Sequence, residues 1–290
     1  MQTHAVFATL CTMIIDGKQI ASDIKRRILA RTRTGEHRLS LGVIVVHQNF
    51  TMNSFVDIKR RFGEEVNVKV DVLNVPVHSQ NNEELLHTLL QASRDHDGLL
   101  LQLPLPRQYT LEEVLNLFPL SHDVDVLGVT AYRQFEEGHL PFLPPVIGAF
   151  AEILDRHDLV LAGKKVVVVG EGRLVGAPAA IWANRLGALV HVANRETKDL
   201  TELTRDADVI ILGAGSPGIL KPDMVKNGVV VFDAGTSEVE GALKGDADPA
   251  VAEKASLFTP TPGGIGPITV AKVFENLIIL DELKQKQRGQ

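Results

Sequence analysis

Apolar residues recur along the chain in two spacings, which predict alternating helices and strands. Ile20, Ile24 and Ile28 stand four positions apart among charged neighbours, which indicates an amphipathic helix from residue 16. Continuous apolar runs predict buried strands at 41–46, 68–75 and 98–103, and helical spacing predicts helices at 55–62 and 83–92. Such runs are typical of parallel strands that are buried on both faces. This part of the chain therefore predicts a parallel sheet covered by helices.

The alternation restarts after Pro144 and Pro145. A helix is predicted at 147–155 and a second at 178–186. Strands are predicted at 165–169, 188–192, 208–212 and 229–232. The last segment has a helical apolar stripe and is expected to fold back over the first part. We therefore predict an α/β protein of two domains: an N-terminal α/β catalytic domain at 13–146 with 269–290, and a Rossmann-type domain at 147–268.

Composition narrows the class of protein. The 290 residues are 44% apolar and carry a net charge of −6, which excludes a disordered chain and gives no general reason to bind nucleic acid or an anionic membrane. The one cysteine, Cys11, excludes an internal disulfide and favours a reducing cytoplasm. No apolar run approaches the roughly 18 residues of a membrane span, and the first twelve residues lack the basic start of a secretory signal. The ten histidines form no metal-binding pattern, so no metal is expected.

Three glycines, Gly170, Gly172 and Gly176, follow the predicted strand at 165–169 and precede a helix with Pro178 in its first turn. Glycines permit a tight turn and let the backbone approach a pyrophosphate, which the N-terminus of the helix then attracts. The spacing is one residue longer than the usual fingerprint. We interpret the loop as a dinucleotide site, and a purely structural turn is the alternative.

The choice between NAD and NADP stays open at this stage. An NAD site usually has an acid at the end of the second strand, but Asn194 and Arg195 stand there and Glu196 comes late. Arg195 could pair with the 2′-phosphate of NADP, whereas Glu171 in the glycine loop would repel it.

Four further features carry candidate chemistry, and the first three have a plainer alternative. Gln102 lies at the end of a predicted strand, where its amide could bind a ligand or could bond only to a loop carbonyl. Asp123 and Asp125 precede a turn, where a carboxylate could bind a pair of N–H groups on a ligand or could belong to a solvated turn. Lys59 shares a helix face with Phe55, Ile58 and Phe62, where it could extend to water or act as an acid/base group of lowered pKa. The loop at 260–267 is rich in glycine and proline, so its backbone can approach a flat ligand closely.

The order of these motifs resembles the bifunctional methylenetetrahydrofolate dehydrogenase/methenyltetrahydrofolate cyclohydrolase family from residue 13 to about 280. The segment Gln-Leu-Pro-Leu-Pro at 102–106, Asp-Val-Asp at 123–125 and the glycine-rich loop at 263–267 match the family's motifs. The resemblance implies a catalytic domain and a Rossmann-type domain with a cleft between them, and a homodimer.

The resemblance also implies roles for single residues. Lys59 would be the catalytic lysine, Gln102 would bond to it and set its protonation, and Asp125 would hold the amino-pyrimidine edge of the pterin. Phe55, Pro262, Gly263 and Gly264 would contact the folate substrate. The residues expected to bind NAD or NADP are Gly170, Gly172, Arg173, Val175, Gly176, Arg195, Gly215 and Thr236.

The chain departs from the family pattern at several positions. Phe55 replaces a tyrosine, Val126 replaces a glycine, and Glu171 replaces an arginine; the loop at 47–52 and the segment at 144–147 also differ. Two alternatives to a folate enzyme therefore stay open: a dehydrogenase for a non-folate substrate on the same scaffold, or a dinucleotide-binding protein without catalysis.

Overall fold

The computed structural model describes residues 12–32, 38–46, 50–75 and 82–288. Cys11 and residues 47–49 of the divergent loop lie outside the described residues. The first half contains, in chain order, β1 (Met13–Ile14), α1 (Gly17–Thr32), β2 (Ser40–Val45), α2 (Phe50–Glu65), β3 (Lys69–Asn74), α3 (Glu83–Asp95), β4 (Gly98–Leu101), α4 (Leu111–Asn116), α5 (Val129–Glu137) and α6 (Pro145–Arg156). The second half contains β5 (Lys165–Val169), α7 (Gly176–Arg185), β6 (Leu189–Ala193), α8 (Leu200–Thr204), β7 (Val209–Leu212), β8 (Val229–Asp233), β9 (Ser237–Val239), β10 (Ala242–Lys244), β11 (Ala255–Phe258) and α9 (Ile265–Arg288).

The chain divides into two compact units. The three-stranded unit comprises Lys18–Arg156 and the chain from Gly266 onward, and the six-stranded unit comprises His157–Ile265 with the described residues as far as Gly17. The predicted α/β class with parallel sheets is confirmed, since every strand pair in both main sheets is parallel. The domain bounds of the sequence analysis stay a prediction.

The three-stranded unit has the sheet order β3-β2-β4. All six residues of β2 are buried because the strand lies in the middle of the sheet and helices cover both faces. Glu152 of α6 accepts hydrogen bonds from Arg27 of α1 and Lys272 of α9 at 2.8 Å each, and from Arg156 at 2.9 Å. These ion pairs hold the last helix of the chain against the helices of its first half.

The six-stranded unit has the sheet order β1-β11-β8-β7-β5-β6. The valines of β5 are buried because β6 and β7 flank the strand, as the uninterrupted run of valines predicts. The apolar runs missed four strands of this unit (β1, β9, β10 and β11), since a segment such as Ala-Ser-Leu-Phe in β11 has no distinctive period. In the part of the chain that the structure describes, no helix combines the length and apolarity needed to cross a bilayer.

Candidate active site

Lys59 lies on the buried face of α2, and only 9% of its surface is exposed. The face runs through Val56, Lys59 and Gly63, all buried, whereas Ile58 is 46% exposed. The prediction that Ile58 shares the packed face is therefore wrong, and so is the alternative that Lys59 extends into water. Its Nζ instead donates a hydrogen bond to Oε1 of Gln102 over 3.1 Å.

The environment of Lys59 prepares it for proton transfer. Burial lowers the pKa of the ammonium, because water no longer solvates its charge, and the nearby Asp125 carboxylate partly opposes this shift. A lysine of lowered pKa gives up its proton more readily than an ordinary surface lysine does, which suits it to acid/base chemistry.

Gln102 follows β4 directly, and its amide is held at both ends. Its Nε2 donates to the backbone oxygen of Leu103 over 3.2 Å, which leaves Oε1 to accept from Lys59. Its backbone N–H continues the sheet by donating to Ile44 over 2.9 Å. Gln102 therefore makes the bond to a loop carbonyl and also the bond to Lys59 that the resemblance implies, and its binding of a ligand stays a prediction.

Asp123 and Asp125 have different environments although they stand two residues apart. The Asp123 carboxylate is fully buried and accepts hydrogen bonds from the backbone N–H groups of Asp125, Leu127 and Gly128 at 3.3, 3.1 and 2.7 Å. It shapes the turn, so the solvated-turn alternative is wrong for this residue. Asp125 is partly exposed, and its carboxylate lies near enough to Lys59 to act on the pKa of the ammonium. Burial raises the pKa of each carboxyl to about 6.

Val126 adopts a left-handed backbone conformation, with φ at +57°, while its side chain is buried. The left-handed region is strained for a β-branched residue, by roughly 1–2 kcal/mol. The turn after Asp125 thus keeps a conformation that suits glycine although valine stands there.

Asn276 was not among the predicted site residues, but it positions this turn. It lies on α9 and is 4% exposed; its Nδ2 donates to the backbone oxygens of Val124 and Leu143 at 2.9 and 3.0 Å. The signal in the sequence is a lone amide inside the apolar stripe of the last helix. Such an amide is tolerated in a core only when it is hydrogen-bonded.

The second group of candidate residues lies at the carboxyl edge of the six-stranded sheet. The last residues of β5, β6, β7 and β8 are neighbours, since Val169 pairs with Ala193 and Leu212, and Leu212 pairs with Asp233. The chain passes from β5 to β6 on one side and then to β7 on the other, so the strand order reverses between β5 and β7. Open α/β sheets bind their ligands at such a point. Every residue predicted to bind the dinucleotide follows one of these four strand ends: Gly170, Gly172, Arg173, Val175, Gly176, Arg195, Gly215 and Thr236.

The glycines of the loop after β5 meet different requirements. Gly170 has φ at +103°, and a Cβ on Gly176 would stand 2.1 Å from the backbone oxygen of Gly170, so neither position accepts a side chain. Among the described residues, a Cβ on Gly172 would meet one atom within 4 Å, the oxygen of Gly213 at 3.9 Å. The loop is therefore closely packed at Gly170 and Gly176 and open at Gly172, as binding of a pyrophosphate at the start of α7 requires.

Two buried carboxylates, to which the sequence analysis assigned no role, hold the neighbouring loops. Asp246 accepts from the backbone N–H groups of Ala214, Gly215 and Ser216 at 2.7, 3.1 and 2.6 Å. Asp233 accepts from the backbone N–H groups of residues 235, 246 and 247, and burial raises its pKa to about 6. Residues 214–216 are thereby fixed at the carboxyl end of β7.

The loop that carries Pro262, Gly263 and Gly264 belongs to the six-stranded unit. Gly263 has φ at +107°, its oxygen accepts from the N–H of Gly17 at 2.9 Å, and Gly264 donates to Pro260 at 2.7 Å. A Cβ on Gly17 would stand 1.8 Å from the oxygen of Gly264. The loop is thus rigid, as its proline and glycine content predicts. In residues 12–32, 38–46, 50–75 and 82–288, no three His, Cys, Asp or Glu side chains group to hold a metal ion.

Comparison with known proteins gives consistent matches. Residues 15–125 match the family model of the tetrahydrofolate dehydrogenase/cyclohydrolase catalytic domain, and residues 144–285 match that of its NAD(P)-binding domain. The bifunctional protein FolD of Flavobacterium johnsoniae is 32% identical over 289 residues, which cover 93% of this chain and 98% of that protein. The crystal structure of the bifunctional FolD enzyme of Campylobacter jejuni matches with a TM-score of 0.89 and 32% identity, over 94% of this chain and 99% of that one. The Trypanosoma brucei FolD structure, which contains NADP and an inhibitor, matches with a TM-score of 0.86 and 25% identity, over 94% of this chain and 98% of that one.

Proposed function

Because the chain belongs to the tetrahydrofolate dehydrogenase/cyclohydrolase family, we propose that it oxidises 5,10-methylenetetrahydrofolate to 5,10-methenyltetrahydrofolate with NAD(P)+ and hydrolyses this product to 10-formyltetrahydrofolate. The observation that carries the proposal is the buried Lys59, bonded to Gln102 and acted on by the charge of Asp125, within the matched catalytic domain. Bound NAD(P)+ supplies the nicotinamide ring that accepts the hydride.

Lys59 handles the proton of the hydrolytic step. The methenyl group is a cation, and its charge repels an ammonium, so a bound methenyl group acts in the same direction as burial and favours the uncharged form of Lys59. When water adds to the methenyl carbon, the C–O bond forms as the electron pair of the C=N bond returns to nitrogen, and the uncharged Nζ accepts the proton that the water releases. The bond from this carbon to N5 then breaks, N5 takes up a proton and the hydroxyl loses one, which leaves the 10-formyl group. The hydrogen bond that Nζ donates to Oε1 of Gln102 holds the amine in place. Phe55, one turn before Lys59, has no hydroxyl with which to assist the transfer.

Asp125 recognises the substrate rather than the reacting carbon. An ionised carboxylate accepts two parallel hydrogen bonds from an amino-pyrimidine edge. Asp123 and Asn276 support this role by holding the turn on which Asp125 lies. We assign Phe55, Pro262, Gly263 and Gly264 to substrate contacts as the resemblance implies.

The residues at the carboxyl edge of the six-stranded sheet would hold the dinucleotide. The loop of Gly170, Gly172, Arg173, Val175 and Gly176 would take the pyrophosphate, and Arg195, Gly215 and Thr236 would line the rest of the cofactor. The open space at Gly172 supports this assignment.

The test is a coupled assay with purified protein, tetrahydrofolate, formaldehyde and NAD+ or NADP+, in which reduced nicotinamide and the methenyl absorbance are followed. Lys59→Met is expected to lower hydrolysis of added methenyltetrahydrofolate by about 100-fold or more. The matched control is Lys284→Met, since burial also lowers the pKa of Lys284, whose Nζ donates to Asp97 instead. No signal from the wild type with either nucleotide would remove the proposal, and equal losses in both variants would remove the role of Lys59.

A homodimer in the cytoplasm is part of the same proposal. It rests on the family resemblance and on the single cysteine, which suits a reducing compartment. Light scattering of the purified protein checks the dimer, and cell fractionation checks the compartment.

A further inference from the structure

We propose that Glu171 makes the dinucleotide site select NAD+ over NADP+ by accepting a hydrogen bond from the 2′-hydroxyl of the adenosine ribose. The inference rests on the proposed function, because it concerns the cofactor of the same site.

The structure brings the Glu171 carboxylate to the end of β6, although the residue follows β5 in the chain. Its Oε2 accepts a hydrogen bond from Nδ2 of Asn194 over 3.2 Å, and Asn194 is the first residue after β6. The two segments lie side by side, since the N–H of Gly170 donates to the oxygen of Ala193 over 2.8 Å. Rossmann-type sites that use NAD place an acid at this strand end to bond the ribose 2′-hydroxyl. Here the acid reaches the same place from the neighbouring loop.

Asn194 is itself fixed, so the position of the carboxylate is defined. The Oδ1 of Asn194 accepts from the N–H of Glu196 at 2.9 Å, and its own N–H donates to Oγ1 of Thr197 at 3.0 Å. The turn thereby assigns the two ends of the amide: Oδ1 serves the turn, and Nδ2 faces Glu171.

Charge then decides between the two nucleotides. A 2′-hydroxyl can donate to the carboxylate, whereas the 2′-phosphate of NADP is an anion that a carboxylate repels at the same distance. The positive charge of Arg195 would favour NADP+, but this side chain is exposed and salt screens its charge. Glu171 is also exposed, but the bond to Asn194 holds its carboxylate at the strand end, where the ribose would lie.

The experiment is titration calorimetry of the full chain with NAD+ and with NADP+, without folate. The wild type is expected to bind NAD+ at least about tenfold more tightly than NADP+. Glu171→Gln is expected to lower this ratio by about tenfold, through a gain for NADP+ and a loss for NAD+. Glu196→Gln is the matched control, because it removes an exposed carboxylate two residues after Asn194, and it is expected to leave the ratio within twofold.

Three outcomes would overturn the inference: equal or tighter binding of NADP+ by the wild type, equal changes for both nucleotides in Glu171→Gln, or no binding of either nucleotide. Selective NAD+ binding by a protein that does not turn over folate would instead keep the inference and remove the proposed function.

Discussion

Replacing Asp246 by asparagine removes a negative charge that three backbone N–H groups of one loop share. The carboxylate is fully buried, and its two oxygens divide the donors: Oδ2 accepts from Ala214 and Gly215, and Oδ1 accepts from Ser216. Asparagine has nearly the same shape but only one accepting atom. The variant therefore changes hydrogen bonding with little change in packing.

The magnitude follows from these three bonds. If the asparagine oxygen takes the place of Oδ2, the N–H of Ser216 loses its acceptor, which costs about 1–3 kcal/mol, and the two remaining bonds lose their charge assistance, about 1 kcal/mol in total. One effect acts in the opposite direction: the charge of Asp246 raises the pKa of Asp233, so its removal relieves a repulsion. We expect the free energy of unfolding to fall by about 2–3 kcal/mol, and NAD(P) affinity to fall with it because Gly215 loses its fixed position.

The assay is urea unfolding followed by the fluorescence of Trp182. This is the only tryptophan in the sequence, and it is buried on α7, so it reports on the six-stranded unit. Asp248→Asn is the matched control. Within the residues that the structure describes, the Asp248 carboxylate accepts one hydrogen bond, from the N–H of Ala250 at 2.9 Å, and asparagine caps such a turn equally well. The control is expected to stay within about 0.5 kcal/mol of the wild type. Equal losses in the two variants would show that the shared charge of Asp246 does not stabilise the loop.

Two further predictions concern the turn beside Lys59. Val126→Gly is expected to destabilise the protein by about 1–2 kcal/mol less than Val124→Gly, because both side chains are buried but only Val126 has a strained positive φ, which glycine relieves; equal losses in urea unfolding would contradict this. Binding of tetrahydrofolate is expected to weaken as the pH falls through 6. Burial raises the pKa of Asp125 to about 6, although the charge of Lys59 acts against this shift. Only the ionised carboxylate, which is present above that pH, accepts both N–H bonds of the pterin edge. Calorimetry between pH 5 and 8 tests this, and an Asp125→Asn variant that keeps the wild-type pH dependence would refute it.

Regular elements of the fold follow from local patterns in the sequence. The valines of β5 predict a buried parallel strand because both faces of such a strand must be apolar. Short elements carry less information: β11 is four residues long, and α5 follows directly on the turn at Gly128. Their formation depends on pairing and packing with segments far away in the chain.

The candidate chemistry was only partly readable from the sequence. The motifs located Lys59, Gln102 and Asp125, but the helical spacing could not say whether Lys59 was buried, and it placed Ile58 wrongly on the packed face. The sequence assigned no role to Asn276 or Asp246, because each acts on a loop that lies more than 25 residues away in the chain.

The sequence by itself determined the α/β class, the restart of the alternation, the glycine loop and the residues that resemble a known family. Periodicity and turn-forming residues act over a few positions, so they can be read without coordinates. The tertiary structure alone decided which polar groups lose water and which partner each one meets. Asp123 became the buried support of a turn while Asp125 came within reach of a lysine, and Glu171 reached the end of a strand that it does not follow in the chain. Desolvation and hydrogen bonding between distant segments depend on how the elements pack, and the local order of residues does not contain that information.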